Sequence, residues 1–359
     1  MKILLITDLY PVTKKEKTTP RTLYDFVDEW TKMGHTVKII KPNFILNSFI
    51  RKKPFYRTGW YEDVFNVNYW LPFLGNVKNK LKKYFEKEFQ PDIVIAHMPS
   101  GIMFADKLGI PFSVCIHCSD ITVLTNPIYS LFKKRMIRAL DNADKVFCRS
   151  FVLKDRLQKQ FPKYTNKVLT AFSGIDEKYI VQDITHEIDT EQLNIITCAN
   201  FKKRKNIDKV IMAFKYFDNI NLTVVGDGEG KSYLESIDKR TTFTGRLEHD
   251  KVLELMRQND IFILPSVDET FGMVYLEAMA SGCITICAAG EAIDGIIKYG
   301  ENGFTVQPDV SDISEIICKI ALDMDRNSLN QIRRNAICTA KKYTKKSCAE
   351  NYLNLLISE

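Results

Sequence analysis

The sequence predicts an α/β protein made of two doubly wound, Rossmann-like domains facing across a cleft. Short apolar runs of strand length alternate with amphipathic helical stretches along the whole chain. The alternation is interrupted once, by a polar stretch at residues 181–192, and then restarts. A length of 359 residues is enough for two domains that each bury a core.

"KILLIT" is the first strand, followed by the amphipathic "PRTLYDFVDEWTKMG" and a second strand in "TVKII". "PDIVIAH", "PFSVCIH" and "KVFCRS" then recur at α/β intervals up to about residue 180. After the polar "VQDITHEIDTEQ", strands restart at "LNIITCAN", "NLTVVGDG", "TTFTG", "DIFILPS" and "CITICAA". This order means parallel sheets with crossover helices, and ligands at the carboxyl ends of strands. The expected domains are 1–180 and 190–340, with a helix at about 341–359 packing back on the first.

Composition narrows the class. Apolar residues are 45% and charged residues 26%, as in a soluble globular enzyme. No run approaches the 18 or so apolar residues of a membrane helix. "MKILLITDLYP" is interrupted by Thr7 and Asp8, so a secretory signal is not expected and a cytoplasmic location is. Nine cysteines scattered from Cys115 to Cys348 fit a reducing compartment. "SVCIHCSD" has CxxC spacing around His117, but no second ligand pair with matching spacing accompanies it, and a buried strand explains the cysteines.

Charge is divided between the halves. Residues 1–180 hold 30 Lys and Arg against 17 Asp and Glu, a net of +13, and the remaining 179 hold 21 against 27, a net of −6. The first half is thus expected to face something anionic, and the alternative is a lysine-rich surface that only maintains solubility.

The most informative segment is "DETFGMVYLEAMASG", residues 268–282. A strand ends in "FILPS", "VDETFG" forms a loop, and "MVYLEAMASG" opens a helix that Gly282 stops. The amides of Phe271, Gly272 and Met273 fall at the helix N-terminus, where free donors and the macrodipole favour a diphosphate, and Gly272 lets backbone approach it. Glu269 and Glu277 bracket that position, and carboxylates accept from the vicinal hydroxyls of a sugar and of a ribose. The competing reading makes Glu277 a solvated helix residue and Glu269 a capping acid.

This Glu-x7-Glu pair with "EAMASG" following resembles glycosyltransferase family 4, the retaining GT-B enzymes. The resemblance continues through "KNIDKVIMAF", "LTVVGDGEGKSYLE", "FTGRLEHDKVLELMRQNDIFILPS" and "IIKYGENGFTV", covering residues 194–310 in register. In the first domain it rests on "KILLITDLYP", "KMGHTVKII", "IHCSD" and "FSGID". It implies a GT-B fold with an acceptor-binding first domain and a donor-binding second domain. It also implies that Glu269 contacts the donor sugar, Glu277 the ribose, and Gly272 with Met273 the diphosphate. Lys205 in "KRKN" matches the basic residue that clamps the diphosphate. Asn200 stands where relatives often carry Arg, so Arg204 is the candidate to compensate.

The family also places Gly226 and Asp227 of "VVGDGEG" near the donor, and Arg246 or Leu247 of "GRLEH" near the base. As a dinucleotide fingerprint "VVGDGEG" is weak, since its third glycine falls two residues after the second. His117 matches a histidine that reaches donor sugar or acceptor hydroxyl, and Asp120 either meets the acceptor or caps the next helix. Thr19 and Arg21 of "TTPR" occupy the region where relatives present a Gly-Gly pair, and are candidates for phosphate or acceptor contact.

The implied activity is a retaining, metal-independent hexosyltransferase with a nucleoside diphosphate sugar, UDP favoured, as co-substrate and no cofactor. "DMD", Asp323 to Asp325, reads as a solvated helix end and not as a metal motif. The expected acceptor is a glycan or lipid-linked hydroxyl in surface-polysaccharide synthesis. The basic first half would sit peripherally at the inner face of the membrane, through "NYWLPFLG" and the stretch "NVKNKLK…KKYFEKEF". Competing readings are a GT-B epimerase or phosphorylase, a silent partner subunit, and a nucleic-acid-binding protein. The last lacks RNP-type aromatics or a Cys/His finger, so no nucleic-acid partner is expected.

Overall fold

The computed structural model describes residues 1–11, 21–44, 64–69 and 85–358. The first sheet contains β1 (Lys2–Ile6), β2 (Thr36–Phe44), β3 (Val64–Tyr69), β4 (Ile93–His97), β5 (Ser113–Ile116), β6 (Val146–Cys148) and β7 (Val168–Thr170). Its order is β3-β2-β1-β4-β5-β6-β7, and every adjacent pair is parallel. The second contains β8 (Leu193–Cys198), β9 (Ile220–Val225), β10 (Thr242–Gly245), β11 (Ile261–Leu264), β12 (Ile284–Ala288) and β13 (Phe304–Val306). Its order is β10-β9-β8-β11-β12-β13, again all parallel.

Parallel neighbours require crossover connections, and among the described residues helices supply most of them. The central strands are therefore covered twice and read as continuous apolar runs. "IFIL" of β11 and "ITICA" of β12 are buried at every position. Each sheet has its own core, one around Leu4, Phe104, Ile116 and Leu140, the other around Ile195, Val224, Ile263 and Ile286.

The chain divides into two compact units, residues 1–149 with 153–172 and 348–359, and residues 150–152 with 173–347. The polar stretch expected as an interdomain connection at 181–192 is built into the second unit. Val181 N donates to Ala280 O at 2.9 Å, and Ile188 is fully buried. Buried Arg333 donates to the carbonyls of Gly282 and His186 at 2.7 and 2.9 Å. Backbone polar groups that are met by buried partners do not leave a free linker.

The last helix, Lys345–Ile357, joins the first unit from Cys348 onward. There Trp30 Nε1 donates to Ala349 O at 3.0 Å, and the Tyr352 ring packs edge-on against Phe26 and Phe147. Thr19 and the stretch from 70 to 84, which holds most of the expected interfacial segment, lie outside the described residues. Phe85–Phe89 form a single π-helical turn.

Candidate functional site

In the second sheet the strand order reverses between β8 and β11, the point where doubly wound sheets take ligands. A cavity of about 760 Å³ opens there. Five residues singled out from the sequence line it together: Lys205, Gly226, Asp227, Arg246 and Leu247. Its wall also contains Asn200 and Val274, the latter one residue into the helix that Met273 begins. Glu269, Phe271, Gly272, Met273 and Glu277 are not among the residues that line it.

Gly226 makes the turn possible. Its φ is +135°, and a Cβ there would lie 1.9 Å from Ala199 O, so only glycine lets the β9 turn close on the β8 turn. Phe201 N then donates to Asp227 O at 2.9 Å. Asn200 packs into the same turn, its Oδ1 only 2.7 Å from where a Cβ on Gly228 would stand.

Glu269 sits between two cations. Its Oε1 accepts from Arg204 Nη1 at 2.7 Å, from Ser266 Oγ at 2.9 Å, and from Lys205 Nζ. Burial favours the protonated acid, yet Lys205, Arg204 and Ser266 outweigh it and hold the carboxyl below its ordinary range. All three bonds fall on Oε1, and no hydrogen bond among the described residues falls on Oε2. The cationic loop is fixed by one backbone and one side-chain bond: Val267 N donates to Arg204 O at 2.9 Å, and the Asn206 side-chain Nδ2 to Pro265 O at 2.7 Å. The sequence placed Lys205 and Arg204 on a diphosphate and Glu269 on a sugar; the structure joins all three, with Ser266 as a partner not foreseen.

The helix Met273–Ala280 starts at Gly272, whose φ is +83° and which has no side-chain cap. A Cβ at Gly272 would lie 2.5 Å from the Tyr275 ring, and Tyr275 is immobilised by donating to Leu264 O at 2.7 Å. The helix start is thus an uncapped donor end held rigidly beside the cavity. Phe271, two residues before the helix, is buried.

Glu277 is not a bare solvated acid: His249 Nε2 lies 3.0 Å from its Oε1, and the Tyr179 ring packs edge-on against that imidazole. The bond to Glu277 outweighs partial burial and raises the His249 pKa. A histidine raised above about 6.5 adds stability that is complete below that value and fades as pH rises through the folded value. The pair is solvent-accessible, so less than about 1 kcal/mol is expected. His249→Gln should therefore melt below wild type at about pH 5.5, with the gap closed by about pH 8.5; a gap that widens with pH would refute the pairing. His249 was within the matching "GRLEH" segment, but its contact with Glu277, 28 residues away, is a tertiary fact.

In the first unit, His117 and Asp120 follow β5. His117 is buried, its Nε2 3.1 Å from His97 Nδ1, and His97 Nε2 lies 3.3 Å from the Tyr352 hydroxyl. Burial, then the charge of Arg149, pushes the His117 pKa down to about 3, so the imidazole is neutral. Asp120 Oδ2 accepts from His117 N at 2.6 Å in a capping box, the capping alternative of the sequence reading. Burial raises its pKa to about 8, and its Oδ1 is buried without a hydrogen bond. His97, Cys115 and His117 bring their ligand atoms within 4.8 Å of one another. Cys115 pairs with His97 in register between β5 and β4, and His117 follows directly on β5. Arg21 is exposed at the start of the first helix, its guanidinium 5.4 Å from the Tyr24 ring. Asp325 caps the helix Arg326–Ala340 by accepting from Ser328 N at 3.0 Å.

A glycine turn, a cationic loop and an uncapped helix start at a topological switch point are the features of a doubly wound α/β protein with its ligand site at the strand ends. Comparison with known families makes this specific. The model described as "Glycosyl transferases group 1" matches residues 181–338, and "Glycosyltransferase Family 4" matches 19–179. The chain belongs to glycosyltransferase family 4. It is 31% identical over 206 residues to N-acetyl-alpha-D-glucosaminyl L-malate synthase of Bacillus anthracis, covering 53% of this chain and 52% of that one. It is 23% identical over 224 residues to a lipopolysaccharide core biosynthesis glycosyltransferase of Rhizobium meliloti, covering 61% and 65%. The chain thus spans about half to two thirds of the length of these curated relatives. Among solved structures, Anabaena HepE in complex with UDP matches with a TM-score of 0.72 and 16% identity over 99% of both chains. The shared fold is GT-B. No helix among the described residues is long and apolar enough to cross a membrane.

Proposed function

We propose that the chain is a retaining glycosyltransferase that moves a sugar from a nucleoside diphosphate donor, UDP favoured, to a hydroxyl of a glycan or lipid-linked acceptor in polysaccharide or glycolipid synthesis. The observation that carries the reading is the Glu269 cluster: a charged carboxylate that holds two cations on Oε1 and leaves Oε2 unbonded, beside a 760 Å³ cavity. Family membership supports transfer, and the UDP bound by the HepE structure supports the choice of nucleotide.

In this reading the diphosphate lies against the start of the helix Met273–Ala280, with Lys205 and Arg204 closing on it. Glu269 meets the sugar, Glu277 the ribose, and Arg246 or Leu247 the base. The bond from the anomeric carbon to the leaving phosphate oxygen breaks while the acceptor oxygen attacks from the same face. The acceptor proton passes to the departing phosphate, and the anomeric configuration is kept. Leaving charge is met by helix amides and the two cations, so the step calls for no metal ion. His117 is assigned to the acceptor side, and Asp120, as the cap that accepts from the His117 amide, holds it in place. The net positive charge of residues 1–180 is assigned to an anionic, membrane-borne acceptor surface.

Calorimetry with a panel of nucleoside diphosphate sugars, followed by NMR of the product anomer formed with EDTA present, tests this. One donor class should bind and yield a product of unchanged anomeric configuration. An inverted product, or turnover abolished by EDTA, would overturn the mechanism.

A further inference from the structure

We infer that the turn and helix start at residues 127–138 form a membrane anchor, with apolar side chains that enter the interface of an anionic bilayer and cations that meet its headgroups. The inference rests on the proposal that the first unit faces an anionic membrane, and it assigns that contact to specific residues. Ile128 is 85% exposed, Leu131 59% and Tyr129 38%, three large apolar groups clustered in the turn Pro127–Tyr129 and the first helical turn after it. In the helix Ser130–Asn142 the opposite face carries Met136, Ala139 and Leu140 into the core. Leu131, Lys134 and Arg138, spaced i, i+3 and i+7, share the outward face. An apolar tip thus leads, and cations follow one and two turns behind it.

Charge selects the partner. Between Asp120 and Asp141 the sequence contains no acid and four Lys or Arg residues. Arg138 Nε is 3.4 Å from Asp106 and still 61% exposed, whereas Lys133 and Lys134 make no ion pair among the described residues. Apolar residues beside unpaired cations are the pattern of an interfacial helix on anionic lipid. Three side chains are too few for the apolar centre of a stable protein interface, which buries about 800 Å² per partner.

The test is co-sedimentation of the full chain with vesicles of phosphatidylglycerol and phosphatidylcholine in equal parts, and with phosphatidylcholine alone. Wild type should bind the anionic vesicles and release at high salt. Ile128→Glu/Leu131→Glu should lower the partition coefficient at least about tenfold, since each change removes apolar area and adds repulsion. Lys133→Gln and Lys134→Gln should each lower it about fivefold. All of these positions are at the surface, so melting temperature and nucleotide binding in lipid-free buffer should not move. Equal binding to neutral vesicles, or unchanged partition in the double variant, would overturn the inference. So would self-association in lipid-free buffer that the double variant abolishes, which would make the patch an interface between copies. Failure of every nucleotide sugar to bind, with partition intact, would strike the proposed reaction and leave the anchor standing.

Discussion

Glu269→Ala is expected to lower turnover by about 10²- to 10³-fold, the effect of removing one group that matters chiefly in the transition state. The carboxylate holds Arg204 and Lys205 together on one oxygen, and in the proposed reaction the other meets a sugar hydroxyl. Without it, the sugar loses its acceptor partner, and the two cations repel each other in a part-buried site. Binding of the nucleoside diphosphate alone should hold or strengthen, because both cations are released from their internal anion. The signature is therefore a fall in kcat without a matching rise in the dissociation constant for UDP. Glu269→Gln, which keeps the shape and removes the charge, should fall between wild type and Ala. Turnover within about threefold of wild type in Glu269→Ala would show that the cluster is structural only.

Gly226→Ala is expected to destabilise the second unit by about 3–5 kcal/mol, which corresponds to a fall of about 10 °C in its melting temperature. Two terms add: a backbone conformation at φ +135° that alanine does not adopt readily, and a Cβ 1.9 Å from Ala199 O. The clash is with backbone, so no rotamer change relieves it. The turn must shift, and with it Asp227 and the cavity wall, so nucleotide affinity should fall as well. Gly290→Ala is the control. Its φ is +69° and nothing lies within 4 Å of the added Cβ, so it should lose only about 1 kcal/mol of conformational strain. Equal melts for the two variants would show that close approach at Gly226 is not what constrains the site.

The strands were legible because parallel, doubly covered strands must be apolar along their whole length, as "ILLI", "IVIA", "IFIL" and "ITIC" are. The stretch at 181–192 was misplaced for a related reason. Its charged composition gives no sign that Ile188 is buried or that Arg333, about 150 residues away, bonds the His186 carbonyl. The cavity residues Lys205, Gly226, Asp227, Arg246 and Leu247 were found through the family resemblance of "KRKN", "VVGDGEG" and "GRLEH", and all but Lys205 also follow closely on a strand end. The partners Ser266 and His249 were not, because a serine or histidine carries no mark of what it will face.

The chain's own residues determined the two-sheet class, the order of its strands and helices, and the uncapped helix start at Gly272, since these follow from local periodicity and backbone sterics. Only the tertiary structure decided that Glu269 neutralises Arg204 and Lys205 through a single oxygen, that His249 grips Glu277, and that His117 is a neutral, buried partner of His97. Those pairings join side chains 20 to 65 residues apart. Their protonation is set by burial and neighbouring charge, quantities that exist only once the chain has folded.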